Sequence, residues 1–206
     1  MCVEVALISL QQWRGVESHF NRSTAFDSAV DTWITALIAI VTLCILRIAW
    51  RAFTELDVDL DQQIAYRAGL VYLLISCGIG FLILGYGIVR TGAGSDPSIY
   101  GNSGVVKFPH GMTIHAIQVL PALGWLLKLV GTPLSSRVFC LHCCNASLGL
   151  QLLYSVTQTL SGRDRGDFTP ATGMILLAAA ISASPVLYAL LSALCRQTWR
   201  SNAAAK

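Results

Sequence analysis

Five stretches of this chain stay apolar for about twenty residues each, the length a helix needs to cross the hydrocarbon core of a bilayer. They lie at residues 32–50, 68–89, 111–130, 138–159 and 171–195. The charge supply agrees: 12% of the 206 residues are charged against 54% in the apolar set. A soluble domain carries about 25% charged residues, so this chain could not clothe a soluble surface. The same arithmetic excludes disorder, coiled coil, collagen and a secreted disulfide scaffold. The expected fold is a single all-α domain over 1–206, a polytopic integral membrane helix bundle whose constant partners are membrane lipids. A net charge of +3, scattered along the chain, leaves no nucleic-acid footprint.

An odd number of spans puts the two ends of the chain on opposite faces. One face carries Arg14, Arg22, Arg90, Lys107, Arg163 and Arg165 together with seven acids. The other carries Arg47, Arg51, Arg67, Lys128, Arg137, Arg196, Arg200 and Lys206, most of them at span ends. The positive-inside bias therefore predicts a cytosolic C-terminus and an external or lumenal N-terminus. Trp33, Trp50, Trp125 and Trp199 fall near span ends, as belt aromatics do. On the cytosolic side, Glu55, Asp57, Asp59 and Asp61 read as a solvated loop.

Glycines in the second span repeat at seven, through 78, 85 and 92 and again through 80, 87 and 94. Small residues at that spacing predict a face where another backbone approaches closely. Cys140, His142, Cys143 and Cys144 have the residue types of a metal site. They open a membrane helix, however, where thiols act as small hydrophobes, so packing is the expected role. No cofactor or metal is called for.

The segment with a chemical signature is 101–127, a glycine-rich loop leading through Lys107 and Pro109-His110 into the third span. His115 and Gln118 stand at i and i+3 on one helical face, and Pro121 predicts a kink that frees the carbonyl of Ile117. At 1.5 Å per residue His115 should lie about 7.5 Å below His110, shallow on the external side. Polar side chains within a span normally face the bundle interior or a wet cavity. Asp27, Asp31, Arg90, Gln158, Arg163, Asp164 and Asp167 are expected at the same level.

These residues suit a membrane enzyme acting on a lipophilic, isoprenoid-like substrate by acid–base isomerisation or cyclisation. His115, His110, Asp27, Asp31, Asp164 or Asp167 would move the proton, with Gln118 orienting. Lys107, Arg90 and Arg163 would hold an anionic group. The alternative is a non-catalytic transport or assembly module. A third reading is a haem redox protein using two of His19, His110 and His115.

The run Gly104-Val105-Val106-Lys107-Phe108-Pro109-His110, followed by His115, Gln118 and Pro121, resembles a motif of uncharacterised multi-pass membrane proteins. Glu17 to Asn21, Ala25-Phe26-Asp27 and Gly162-Arg163 are similar to the same group. The resemblance implies a site in this region and extra N-terminal helices in the relatives. It implies no activity.

Overall fold

The computed structural model describes residues 2–16 and 19–204. Glu17, Ser18 and Lys206 lie outside these, as do the side chains of Arg196, Trp199 and Arg200. The chain is an all-α bundle with one small hairpin. Its elements are α1 (Cys2–Trp13), α2 (Ala25–Thr54), α3 (Leu60–Gly92), β1 (Ile99–Tyr100), β2 (Gly104–Val105), α4 (Lys107–Ile114), α5 (Ala116–Leu129), α6 (Leu134–Leu160) and α7 (Pro170–Ala204). Among the described residues five segments are long and apolar enough to cross a membrane: α2, α3, α4 with α5, α6, and Pro170–Ser192 of α7. They cover the five expected stretches, and most extend several residues further into their caps.

Local chemistry sets these ends. Thr24 caps α2, accepting the amide of Asp27 at 3.1 Å while its hydroxyl donates to the Asp27 carboxylate at 2.6 Å. Pro170 opens α7, where a missing amide hydrogen does no harm, and Thr169 accepts the amide of Thr172. Pro185 lies inside α7 and deprives the carbonyl of Ile181 of its helical donor. Ser184 fills that vacancy from one residue before, donating to Ile181 at 2.8 Å.

The helical run of the third span is interrupted at His115, six residues before Pro121, and α5 continues through Pro121 to Leu129. Hydroxyls enter the hydrogen-bond ladder just before the interruption. Thr113 donates back to the carbonyls of Pro109 and His110, and Ser76 of α3 reaches the same His110 carbonyl at 3.3 Å.

α3 and α6 form the centre of the bundle, with α4 and α5 packed against both. α2 leans on α3, and α7 leans on α6 as the least buried span. The core joins Ala65 and Tyr72 of α3, Ala116, Leu120, Leu123 and Leu127 of α5, and Cys140 and Leu141 of α6. Tyr72 also donates its hydroxyl to the carbonyl of Asn145, tying α3 to α6.

Glycine works differently from the heptad expectation. Gly78, Gly85 and Gly92 face open space. Gly80 meets the His110 ring and Gly87 meets the Phe20 ring, which are side chains and not a neighbouring backbone. The close backbone approach lies a turn or more before that stripe, at Gly69, where an added β-carbon would come within 2.9 Å of the Ile117 Cα. Gly69→Ala should therefore destabilise the protein by about 1–3 kcal/mol through overpacking. Gly78→Ala should leave stability unchanged or raise it by up to about 1 kcal/mol through helix propensity. Thermal unfolding of the two variants in detergent checks the pair, and a loss at Gly78 matching that at Gly69 would refute this packing.

Candidate functional site

The sequence-predicted polar residues separate into three groups. The first stands on the face that carries the hairpin and holds both early carboxylates of α2. Asp27 is 1% exposed and accepts Arg14 at 2.6 Å, with Gln11 at 3.3 Å and Ser23 at 3.2 Å. Asp31 is also buried, taking the Phe20 amide at 3.0 Å and Arg22 at 2.9 Å. Asp27 lies in the first turn of α2, where the helix dipole favours negative charge. Both carboxylates are anchors: Asp27 holds α1 down, and Asp31 fixes the segment that enters α2.

Phe20 shows how tightly that segment is held. Its φ is +66°, a region bulky residues rarely adopt, and its ring fills the notch left by Gly87. A cleft of about 700 Å³ lies beside it, lined by Val16, Arg22, Ile88 and Thr91 among others. His19 sits next to Phe20, where burial lowers its pKa most, Lys107 lowers it further, and Asp31 opposes both.

The second group closes the bundle over the loop after α6. Gln158 is fully buried and donates its amide to the carbonyls of Asp164 at 2.9 Å and Asp167 at 2.8 Å. Tyr154 donates to the carbonyl of Arg165, and Arg165 covers the Phe108 ring at 5.6 Å. The carboxylates of Asp164 and Asp167 are exposed; Asp164 takes the Arg165 amide. Gly101 and Gly104 of the hairpin abut Gly162, and Thr159 donates to the carbonyl of Val105. Arg90 turns back to the carbonyl of Asp96 at 3.4 Å, while Lys107 is exposed at the start of α4. Hydrogen bonds from Ser98 hold the Asp96 carboxyl below its usual range. An apolar groove of about 250 Å³ runs beneath the hairpin between Leu82, Tyr86, Pro109 and Val156.

The third group is the pair of histidines on the interrupted span, and the two have opposite fates. His110 points inward: its Nδ1 lies 2.9 Å from the Ser76 carbonyl and 3.0 Å from the Ser76 hydroxyl. A carbonyl can only accept, so Nδ1 carries the proton and His110 clamps α4 to α3. His115 points outward. It and Gln118 are exposed on the outer face of α5, with Nδ1 of His115 3.0 Å from Oε1 of Gln118. The expectation that this pair faces the bundle interior is thus corrected: the inner face of α5 is taken by Ala116, Leu120, Leu123 and Leu127.

The candidate span runs from Lys107 to Leu129, starting four residues earlier than expected, and the pair lies within it, at and just past the interruption at His115.

Several structural residues escape a sequence reading. Asp61 is fully buried and bound to Arg137 at 2.5 Å, Asp59 pairs with Lys128 at 2.6 Å and Glu55 with Arg51 at 2.6 Å, so three of the four acids in the expected solvated run are engaged. Lys128 holds the Asp59 carboxyl below its ordinary range. Ser76 and Gln11 gave no signal either, since a serine or glutamine in an apolar stretch declares no partner. Cys140 donates to the carbonyl of Pro185, consistent with packing. Among the described residues no three His, Cys, Asp or Glu side chains converge on a metal position.

No protein family, curated protein or solved structure is similar enough to this chain to lend it a fold or an activity.

His19 provides a pH test of the first group. Its folded pKa is lowered, so the unfolded chain binds the proton more readily and stability rises with pH. The stabilising contribution is present above the ordinary histidine value of 6.5 and is lost as pH falls through the folded value. Thermal unfolding between pH 7.5 and 5 should decline towards acid, and His19→Gln should flatten that slope; an unchanged slope would refute the assignment.

Proposed function

We propose that this multi-pass membrane protein is a recognition module that works inside the bilayer. Its outward His115–Gln118 pair receives the polar group of a partner arriving through lipid. The observation that carries this reading is one of place. A hydrogen-bonded polar pair sits within a candidate span, on the face that its own bundle leaves uncovered. Hydrocarbon offers such groups no hydrogen bonds, and polar side chains inside a span ordinarily face protein or an enclosed water. Three of the other polar candidates already have internal duties, Asp27 with Arg14, Asp31 with Arg22 and His110 with Ser76. That pattern favours the non-catalytic assembly reading over acid–base chemistry shared with the carboxylates.

Acid–base catalysis on a lipophilic substrate keeps one observation in its favour. With Nδ1 of His115 directed at the Gln118 oxygen, Nε2 retains a lone pair that faces the lipid. Such a base, oriented by an amide, could move a proton on a substrate that enters sideways.

A photoreactive benzoyl-phenylalanine at position 122, exposed one turn from Gln118, tests the recognition reading in intact membranes. It should label one defined species, and Gln118→Leu should cut that labelling several-fold. Labelling of bulk phospholipid alone, unaffected by Gln118→Leu, would overturn the reading. Under the catalytic alternative, His115→Ala should instead change the extractable lipid profile while the protein still accumulates.

A further inference from the structure

We propose that the partner at this face is a second copy of the chain, joined through α5 about a twofold axis normal to the membrane. The inference rests on the recognition reading and names its partner. Its first support is hydrogen-bond complementarity. The Gln118 oxygen occupies Nδ1–H of His115, so the pair presents the Nε2 lone pair as acceptor and the Gln118 amide hydrogens as donors. Turning the amide over exchanges these roles but still leaves a donor and an acceptor outward. A surface with both is complementary to itself. In a twofold dimer Gln118 of each copy donates to His115 of the other, giving two equivalent bonds.

The surroundings of the pair fit such a contact. His115, Gln118, Val119, Ala122, Trp125 and Leu126 recur at helical spacing and are all exposed. They form one continuous stripe along the outer face of α5. Ala122 is small and lies one turn below Gln118, which lets two helices come close beside the bonded pair. Trp125 is 61% exposed and can flank the seam nearer the membrane edge. An isologous contact also needs no further component to satisfy the pair.

The test uses the full-length chain in membranes, with two differently tagged copies and benzoyl-phenylalanine at position 122. Wild type should give a crosslinked product of twice the 22.2 kDa chain mass that carries both tags. The same crosslinker at Leu177, on the outer face of α7, should give none. Copies that are all His115→Leu, or all Gln118→Leu, lose both intermolecular bonds and should associate about tenfold more weakly.

Mixing the two variants decides the matter. A His115→Leu copy retains the donor and a Gln118→Leu copy retains the acceptor, so the mixed pair regains one bond. It should associate about threefold better than either variant with itself. Simple misfolding of either variant would not produce that recovery. No recovery, or a dimer indifferent to both substitutions, would overturn the proposal. Labelling of a different defined species would overturn the second copy and leave the recognition reading standing; labelling of phospholipid alone would end both.

Discussion

Inside a bilayer there is no water to rescue a hydrogen-bonding group, so each one must find a partner within protein. The bond between α3 and α4 at Ser76 and His110 is where this chain meets that demand most fully. The serine carbonyl and hydroxyl occupy the imidazole, while its hydroxyl and that of Thr113 reach the His110 carbonyl. The junction fixes α4 on α3 just above the break at His115. Beyond it, α5 packs Ala116, Leu120, Leu123 and Leu127 into the core. The opposite side of the same helix carries His115 and Gln118 outward. One histidine is held within the architecture and the other is left on its surface.

At either membrane face the architecture is closed by carboxylates buried against arginines. Asp27 and Asp31 do this on the hairpin face and Asp61 on the other. A buried ion pair adds modest net stability compared with an apolar substitute, but removing one partner is severe because a lone charge is left behind. These pairs are therefore better understood as determinants of geometry: those of Asp27 and Asp31 tie down the segments before α2, and that of Asp61 joins α3 to α6. The α1 helix shows the point. It packs on α2 alone among the larger contacts, and Gln11 and Arg14 converge on Asp27.

Much of the fold was legible because hydropathy acts over twenty residues and averages out local exceptions. The five spans and the helical class follow from that long signal. What failed was local. The interruption at His115 went unannounced, as did the bonds to His110 from Ser76, a residue of another helix whose role no spacing could declare. The glycine repeat was real, but a period says only that a face is small, not what approaches it; Gly87 accepts a phenylalanine ring and Gly78 accepts nothing. His115 and Gln118 were recognised as a pair from their i, i+3 spacing. Their direction was misjudged because the spacing of two residues does not say which face of the helix its neighbours cover; that face belongs to Ala116, Leu120, Leu123 and Leu127.

The size of the polar contribution bears on what kind of assembly this would be. Hydrogen bonds between helices in membranes contribute about 0.6–2 kcal/mol each, far less than the vacuum value, because a separated helix also finds some partner. Two such bonds about a twofold axis supply about 1–4 kcal/mol, or about tenfold to a thousandfold in association. That range does not weld two chains together by itself; the rest must come from packing along Val119, Ala122 and Trp125. A polar seam of this strength acts chiefly on register and orientation, since sliding α5 along its neighbour by one turn would separate donor from acceptor and return both to hydrocarbon. The pair is thus better suited to selecting which arrangement of helices forms than to holding it.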